Sequence, residues 1–477
     1  MNPIEREKLR KALLERTKTD PEGVVDLVLS LMDRVEELTK RVEKLEDQLK
    51  KDSSNSSKPP SSDGPSSKPK KTRSLRGKSG KKSGGQRGHK GHTLEARQDP
   101  DTTIEHRLEV CPITGRQLSD ADVVSKIRCQ VFDIPEPKME VTEHVYFVYS
   151  VPGSKQTVRQ AYLEGASQRT QYGPRFGSLL VYLKDFQLIP LSRITQLCFD
   201  LYGQQISQAT IDRFRKPCSE HLERFEEHLK KQLLGSAVLH SDETGIRIGE
   251  KTHWLHVLCT EEATLLWTSA YRGRRAIDEM GILHDFEGTL VHDCFSSYFT
   301  LDCNHALCNA HLLRELAFFA DVKAYRWAER MSELLLQALK HPHMTSARGW
   351  KLRYANILAQ ADKENPYTEP VRKKGQRGRL AKPAVNNLIE RFRKHRESIL
   401  RFVEDEAIPF TNNQAERDLR MAKVQQKISG TFRTHKGAQI FARIRSYIST
   451  AQKNGESVYQ ALLKVIEKQP MFCENSS

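Results

Sequence analysis

Two aspartates follow short apolar runs and could share metal ions. Residues 237–240 predict a buried strand that ends on Asp242, and residues 289–292 predict another that ends on Asp293. If these strands are neighbours in one sheet, the two carboxylates meet at its edge. Paired carboxylates on a rigid sheet are typical ligands of two oxygen-preferring divalent ions. Taken singly, each aspartate is more simply explained as a turn former.

The chain around these aspartates predicts further elements of the same sheet. Apolar runs over 254–258 and 264–267 predict two strands, with Glu261 and Glu262 in the hairpin loop between them. A helical stretch near 276–283 follows. The predicted order is strand, strand, strand, helix, strand, with an aspartate closing the first and the fourth strand.

A third carboxylate would have to come from a distant part of the chain. Asn412 or Asn413 is predicted to cap a helix that carries Glu416 in its first turns. A glutamate at such a place is more simply explained by the helix dipole. The helix-rich stretch between Asp293 and Asn412 is long enough to be a subdomain.

The composition narrows the class of protein. The 477 residues carry a formal net charge of +16, are 37% hydrophobic and 29% charged, and include nine scattered cysteines. The sequence has no apolar run long enough to span a membrane, and its first residues lack the apolar stretch of a secretory signal. A membrane protein and a small disulfide scaffold are therefore not expected. The cysteines are expected to be reduced thiols in a cytoplasm. The positive charge favours a polyanionic partner.

Much of this charge lies in one segment of low complexity. Residues 53–92 contain eleven Lys or Arg against the single acid Asp63, together with eleven Ser, seven Gly and four Pro. Because so few apolar side chains cannot offset the entropy of ordering, the segment is predicted to be a disordered basic linker. Two interpretations are compatible with each other: the segment is a solvated spacer, and it binds nucleic-acid phosphates without sequence specificity.

Before the linker, apolar residues repeat with the spacing of a coiled coil. Val at three of four a positions and Leu at every d position favour two parallel strands. Arg41 and Glu46 have the spacing of an interchain ion pair. The alternative is a helix packed on its own chain, but a disordered linker offers little to pack on. The seam that predicts dimerisation consists of Val28, Leu31, Val35, Leu38, Val42, Leu45 and Leu49.

A possible zinc knuckle lacks the necessary ligands. The stretch from Cys111 to Gly115 resembles half of a zinc ribbon, but Thr114 replaces the second cysteine and no second knuckle follows. No structural zinc is therefore predicted. Alternating side chains over 128–133 and 141–149 instead predict a small β module.

A helical pair resembles a helix-turn-helix. Residues 192–202 predict a helix that ends at Gly203, and residues 206–214 predict a second helix capped by Ser207. A helical hairpin with no role in DNA binding is an equally simple interpretation. The basic residues of the second helix favour DNA, and they are Arg213, Arg215 and Lys216.

Several stretches, taken in order, resemble DDE transposases of the insertion-sequence IS-66 family. They run from His240 to Thr244, from Val291 to Asp293 with Tyr298, from Cys308 to Leu316, and from Asn412 to Arg417. The resemblance extends to the seam, the start of the linker, the Gly-His-Lys-Gly-His run at 88–92 and the tail at 447–451. Two departures are the missing ribbon cysteines and Thr411, which stands where many members have Asp.

The resemblance implies an RNase H-like fold and a metal-binding triad of Asp242, Asp293 and Glu416. Two Mg²⁺ (or Mn²⁺) ions would activate water, and then a DNA 3′-hydroxyl, for attack on a phosphodiester. Basic residues of the insertion and of the third carboxylate's helix would then hold phosphates. These residues are Arg372, Lys373, Lys374, Arg377, Arg379, Arg417, Arg420 and Lys423.

Cys308 and His311 have a zinc-like spacing, with Cys303 and His305 just upstream. Because both belong to the stretch that resembles the family, we expect a buried helix with His311 hydrogen-bonded near the active site rather than a zinc ion. Asn413 is a second candidate for support of the site.

The fold expected overall is an α/β core, RNase H-like, with a mixed sheet, flanking helices and a large helical insertion, preceded by a coiled coil and a small β module. The predicted limits are 1–50 for the coiled coil, 51–92 for the linker, 93–155 for the β module, 156–235 for a helical DNA-binding region, 236–310 and 410–435 for the core, 311–409 for the insertion and 436–477 for a C-terminal helical element.

The expected function is that of a bacterial transposase that binds transposon ends and catalyses strand cleavage and strand transfer. Its expected partners are double-stranded DNA, a second copy of the chain and accessory proteins of the same element. No membrane association is expected, and the expected location is the bacterial cytoplasm, at the nucleoid. The alternatives are a dimeric DNA-binding protein without catalysis and a metal-dependent nuclease.

Overall fold

The N-terminal part of the chain is helical. The computed structural model describes residues 3–51, 55, 88, 93–163, 168–369 and 382–470. It begins with helix α1 (Pro3–Thr19) and helix α2 (Pro21–Lys50), which Asp20 caps by accepting the Gly23 N–H at 2.9 Å. The helix predicted from the heptad seam is confirmed, and its seven seam side chains are 48% to 86% exposed. Apart from residues 51, 55 and 88, the predicted disordered linker lies outside the described residues.

Residues 93–163 contain little regular structure. A short antiparallel hairpin pairs strand β1 (Val148–Ser150) with strand β2 (Thr157–Arg159). The strand predicted over 128–133 is not formed: Val131 is 91% exposed, and the Gln130 side chain bonds both the N–H and the carbonyl of Arg97. Alternating side chains stabilise a strand only where neighbours receive them, and here they face solvent.

Between the hairpin and the main sheet lie helices α3 (Pro174–Val181), α4 (Leu191–Tyr202), α5 (Gln208–His221) and α6 (Glu223–Leu234), which contain the predicted helical pair. The predicted turn between α4 and α5 is confirmed. Gly203 ends α4 with a left-handed φ of +62°, which favours glycine. The Ser207 hydroxyl caps α5 by accepting the Thr210 N–H at 3.2 Å.

A five-stranded mixed sheet follows and confirms the predicted strand order. It contains β3 (Val238–Ile248), β4 (Lys251–Cys259), β5 (Thr264–Ser269), β6 (Thr289–His292) and β7 (Asn304–Leu307), with helix α7 (Arg274–Met280) between β5 and β6. The strands lie in the order β5-β4-β3-β6-β7. β4 is antiparallel to β3 and β5, whereas β3, β6 and β7 are parallel.

Two strands differ from the prediction. β3 does not end before Asp242 but continues through it to Ile248, because residues 240–248 pair with β4. β7 has only two apolar residues and no strand pattern, and it forms by pairing in parallel with all four residues of β6. Asp242 therefore lies within a strand rather than in a turn.

A helical insertion separates β7 from the last part of the chain. It contains α8 (Asn309–Ala317), α9 (Arg326–Lys340), α10 (Ala347–Glu364), α11 (Ala384–Lys394) and α12 (Arg396–Glu404). The largest fully buried side chains of its core are Trp327, Trp350, Tyr354, Phe318 and Phe392. The insertion begins and ends at one place, because the Asn309 N–H donates to the Phe410 carbonyl at 3.0 Å.

Three helices complete the fold and help to cover both faces of the sheet. They are α13 (Asn413–Ser429), α14 (His435–Lys453) and α15 (Val458–Ile466). On one face, Ile246 shares a core with Leu419 of α13. On the other, Leu239 shares a core with Phe225 of α6. Because side chains alternate along a strand, Asp242 lies on the face that α13 covers. No helix within the described ranges combines the length and apolar character needed to cross a membrane.

Candidate active site

The two predicted aspartates lie side by side on parallel strands. His240 of β3 is paired with Val291 of β6, and Asp242 and Asp293 each follow two residues later. Continuing this register places both side chains at adjacent positions on the same face. Both side chains are partly buried. The structure therefore brings these two carboxylates together.

Burial and mutual repulsion act on the carboxyl groups. Burial, with the negative charges of Asp293 and Glu243, raises the pKa of Asp242 well above its usual value. Burial and the charge of Glu243 raise the pKa of Asp293 to about 6. Burial also raises the pKa of Glu416, to which the charge of Asp293 adds. Carboxyl groups gathered in this way ionise more readily when a cation lies among them.

Helix α13 brings Glu416 to this face through a buried asparagine. Asn412 is 1% exposed, and its side chain does not cap the helix as predicted. Instead it accepts the His240 Nδ1–H at 2.8 Å and donates to the Ser241 carbonyl at 2.8 Å. These bonds tie the start of α13 to the residues just before Asp242. Asn412 therefore sets where Glu416 stands relative to the aspartates.

Helix α8 places a second set of groups around Glu416. His311 Nδ1 and Arg314 Nη2 each lie 3.8 Å from Glu416 Oε1. Burial, aided by the charge of Arg314, lowers the pKa of His311 to about 4, so its ring is neutral at neutral pH. The hydrogen bond expected of His311 is not made at Nδ1, which is buried without a partner among the described residues. Asn413, the other expected support residue, is exposed at the start of α13.

The sequence reasoning missed a buried acid beside Asp242. The Glu243 side chain is 1% exposed and projects from the opposite face of β3. It accepts hydrogen bonds from the Tyr298 hydroxyl at 2.7 Å and from Arg272 Nε at 2.9 Å. Glu243 thus links β3 to the segment that follows β6. The Asp-Glu doublet in the sequence was the available signal, but it does not show on which face of the sheet each acid lies.

The buried His292, which contacts the partly buried His305, holds the turn after Asp293. Cys294 has a φ of +74°, a left-handed conformation that residues other than glycine rarely adopt. Its N–H donates to His292 Nδ1 at 3.3 Å, so the proton of this ring is on Nε2, which lies 3.2 Å from His305 Nδ1. Burial lowers the pKa of His292 well below its usual value, which keeps the ring neutral. The sequence does not show this support for Asp293.

The predicted DNA-binding residues fall into three groups. Those exposed on α5 and α13 are Arg213, Lys216, Arg417, Arg420 and Lys423. Those outside the described residues are Arg372, Lys373, Lys374, Arg377 and Arg379. The prediction is wrong for Arg215, which is 8% exposed and bonds the Asp185 carboxylate at 2.7 and 2.8 Å. A buried guanidinium that is already paired cannot contact a phosphate, so Arg215 stabilises the helical region instead.

Comparison with protein families identifies the chain. The model described as Transposase IS66 family matches residues 169–440, which is more than half of the 477 residues. The chain belongs to the IS66 transposase family. Membership implies a function in transposition. In this IS66 transposase, the match spans the whole five-stranded sheet and all three carboxylates.

The N-terminal part of the IS66 transposase matches a different model. A family of unknown function (DUF6444) matches residues 5–95, which contain most of α1, the whole seam helix α2 and the basic segment. No curated protein matches the chain.

Proposed function

We propose that this IS66 transposase cuts DNA at transposon ends and joins the cut strands to a target in a DDE-type centre formed by Asp242, Asp293 and Glu416. The observation that carries the proposal is the convergence of three acids from distant parts of the chain on one face of one sheet. Asp242 and Asp293 follow paired residues of parallel strands, and Glu416 comes from the helix that Asn412 ties to β3. Turn and helix-end preferences explain each acid singly but not their convergence.

The donor set fits Mg²⁺ or Mn²⁺. All three side chains are carboxylates, whose oxygens these ions prefer as ligands. The pKa values of Asp242 and Asp293 are raised because the negative charge of each carboxylate is unfavourable where it is buried. A nearby cation would favour the ionised form of both groups. Two ions bound there would supply the activation of water, and then of a DNA 3′-hydroxyl, for in-line attack on a phosphodiester. The chain's own part is to hold the carboxylates in place, which Asn412 and the neutral His292 do.

This chemistry requires no covalent bond between protein and DNA. Neither Ser241 nor Tyr298 is therefore assigned as a nucleophile. Both are buried, and the Tyr298 hydroxyl donates to Glu243. Their surroundings support a structural role beside the carboxylates.

We assign the sheet and its helices to an RNase H-like core at 236–310 and 410–435. Three successive antiparallel strands, followed by two strands parallel to the first, support the assignment. The insertion at 311–409 then lies between the second and the third acid. The other proposed units keep the limits expected from the sequence, which are 1–50, 51–92, 93–155, 156–235 and 436–477.

DNA would contact exposed cations on two helices. Arg213 and Lys216 are exposed on α5, the second helix of the pair that resembles a helix-turn-helix. Arg417 and Arg420 are exposed on α13, one and four residues after Glu416. Phosphates held there would lie near the reacting carboxylates. The basic linker would add affinity that does not depend on DNA sequence.

Helix α2 would pair with a second copy of the chain in a parallel coiled coil. Its seam side chains are at least 48% exposed in the single chain, and a second helix with the same heptads would cover them. Dimerisation would place two catalytic units on one DNA complex, as the joining of two transposon ends requires.

The test is Mg²⁺-dependent joining of a labelled transposon end to a plasmid. Wild type should join, whereas Asp242→Ala, Asp293→Ala and Glu416→Ala should each abolish joining but retain end binding. The matched control is Asp302→Ala, which removes an exposed acid nine residues after Asp293 and should join like wild type. Joining by Asp293→Ala, with its loss in the control, would transfer the catalytic role to Asp302.

The same assay separates the alternatives. A protein that only binds DNA would show end binding without cleavage in the wild type. A metal-dependent nuclease would cut the labelled end without ever joining it to the plasmid.

A further inference from the structure

Three metal-ligating groups of different chemistry meet next to the proposed catalytic centre. Cys308 occupies the N-cap of α8, His311 follows one turn later, and Glu416 faces them from α13. One ligand atom from each of the three lies within 4.8 Å of the other two. A set of sulfur, nitrogen and oxygen donors differs from the carboxylates assigned to Mg²⁺.

Hydrogen bonds within the described residues do not satisfy this cluster. His311 Nδ1 is buried and has no hydrogen-bond partner. A buried polar atom without a partner destabilises the fold, so it calls for a specific explanation. Cys308 is 1% exposed, and its Sγ accepts the Asn412 N–H at 3.2 Å. Burial raises the pKa of the Cys308 thiol to about 11, so an ion bound there would have to displace the thiol proton.

We propose that Cys308, His311 and Glu416 form a second metal site, which binds a thiophilic divalent ion such as Zn²⁺. Thiolate and imidazole ligands select such ions over Mg²⁺. Three protein ligands with one open position form a regular type of zinc site. Ligands bonded at about 2.0–2.3 Å to a tetrahedral ion lie roughly 3.3–3.8 Å apart. The three ligand atoms lie within 4.8 Å of one another, so no pair of them would have to approach by more than about 1.5 Å.

An ion at this site would fix Glu416 directly. The Glu416 carboxylate is 3.8 Å from both His311 and Arg314, too far for a hydrogen bond to either. A metal bond to one oxygen would tie α13 to α8 and leave the other oxygen for the face shared with Asp242 and Asp293. This positioning role rests on the proposed function, whereas metal binding itself does not.

Co²⁺ binding to the full-length chain tests the site without DNA. A tetrahedral Co²⁺ ion with a thiolate ligand produces a sulfur-to-metal band in the near ultraviolet and intense visible bands. We expect these bands in the wild type and in the matched control Cys303→Ser, which alters a partly buried cysteine outside the cluster. Cys308→Ser should lose the sulfur-to-metal band. A wild type without the band, or a band that survives in Cys308→Ser, overturns the proposal.

A second variant serves if Cys308→Ser fails to fold. Glu416→Gln keeps the shape of a side chain that is 33% exposed, and circular dichroism checks that its fold is retained. Its Co²⁺ affinity should fall by at least about tenfold, measured with excess Mg²⁺ to occupy carboxylate sites. An unchanged affinity overturns the proposal. Because neither measurement involves strand transfer, failure here and failure of the proposed function are distinguishable.

Discussion

Replacing Asp293 with asparagine should stabilise the metal-free protein and at the same time abolish strand transfer. In the folded chain, burial and the charge of Glu243 raise the pKa of Asp293 from 3.8 to about 6. In the unfolded chain neither influence remains, so the group ionises near its usual pKa. Ionisation therefore disfavours the folded state. The amide of Asp293→Asn removes this penalty and can still accept the Phe295 N–H that Asp293 Oδ1 accepts at 3.3 Å.

The sign and the size of the effect follow from these two pKa values. Because the folded-state pKa is the higher one, the penalty is absent well below the unfolded value, grows as pH rises towards the folded value and is constant above it. The difference corresponds to at most about 3 kcal/mol at pH 8 and about half of that at pH 5. For a folded unit of a few hundred residues, about 3 kcal/mol raises Tm by roughly 6–12 °C.

Thermal unfolding in the presence of a chelator, at about pH 5 and about pH 8, measures this gain. Asp302→Asn, at an exposed acid after the same strand, is the control and should change stability by less than about 0.5 kcal/mol. Excess Mg²⁺ should stabilise the wild type more than Asp293→Asn, because the variant lacks one of the proposed ligands. A variant less stable than wild type at the higher pH, or an equal gain at both pH values, would refute the reasoning.

Three further predictions concern Asn412, the paired arginine Arg215 and the seam of α2. Asn412→Ala should lower the free energy of unfolding by about 2–4 kcal/mol, since it leaves two buried polar groups without partners. Asn413→Ala should change it by under about 0.5 kcal/mol, and equal losses in urea unfolding would contradict the role of Asn412. Arg215→Ala should cost about 3–5 kcal/mol by leaving a carboxylate buried and unpaired. Arg213→Ala should instead weaken end binding in a gel-shift assay, and a stability loss as large as that of Arg215→Ala would place it in the core. Leu38→Asp in the seam of α2 should produce a monomer in light scattering, and a variant that stays dimeric would remove the coiled-coil proposal.

The approach of the two aspartates could be predicted because it depends on local patterns. Apolar runs before Asp242 and Asp293 mark strands, and the short connections between them limit how those strands can be ordered. The place of Glu416 could not be derived in this way. It depends on Asn412, whose partners lie 172 and 171 residues away in the sequence. The helix start made Glu416 a candidate, but only the resemblance to a family assigned it to one site with the two aspartates.

Other features depend on contacts that leave no local pattern. Arg215 has the sequence neighbours of a surface cation, but Asp185, thirty residues earlier, binds its guanidinium in the interior. Alternation around Val131 is a strand pattern, yet a strand needs a partner as well as a pattern. The reverse holds for β7, where pairing with β6 creates a strand from residues that show no such pattern. Pattern predicts an element most reliably where the element's own side chains provide its stability.

The hydrogen bond that closes the helical insertion makes its length independent of the catalytic geometry. Since Asn309 and Phe410 are joined, the chain leaves the sheet and returns to it at one point. Helices could be gained or lost inside this closed segment of about 100 residues without displacing the third acid. A search pattern that demands a set spacing between the second and third acids would therefore overlook relatives with shorter or longer insertions. A better search pattern would require that the two ends of the insertion meet beside Cys308 and Asn412.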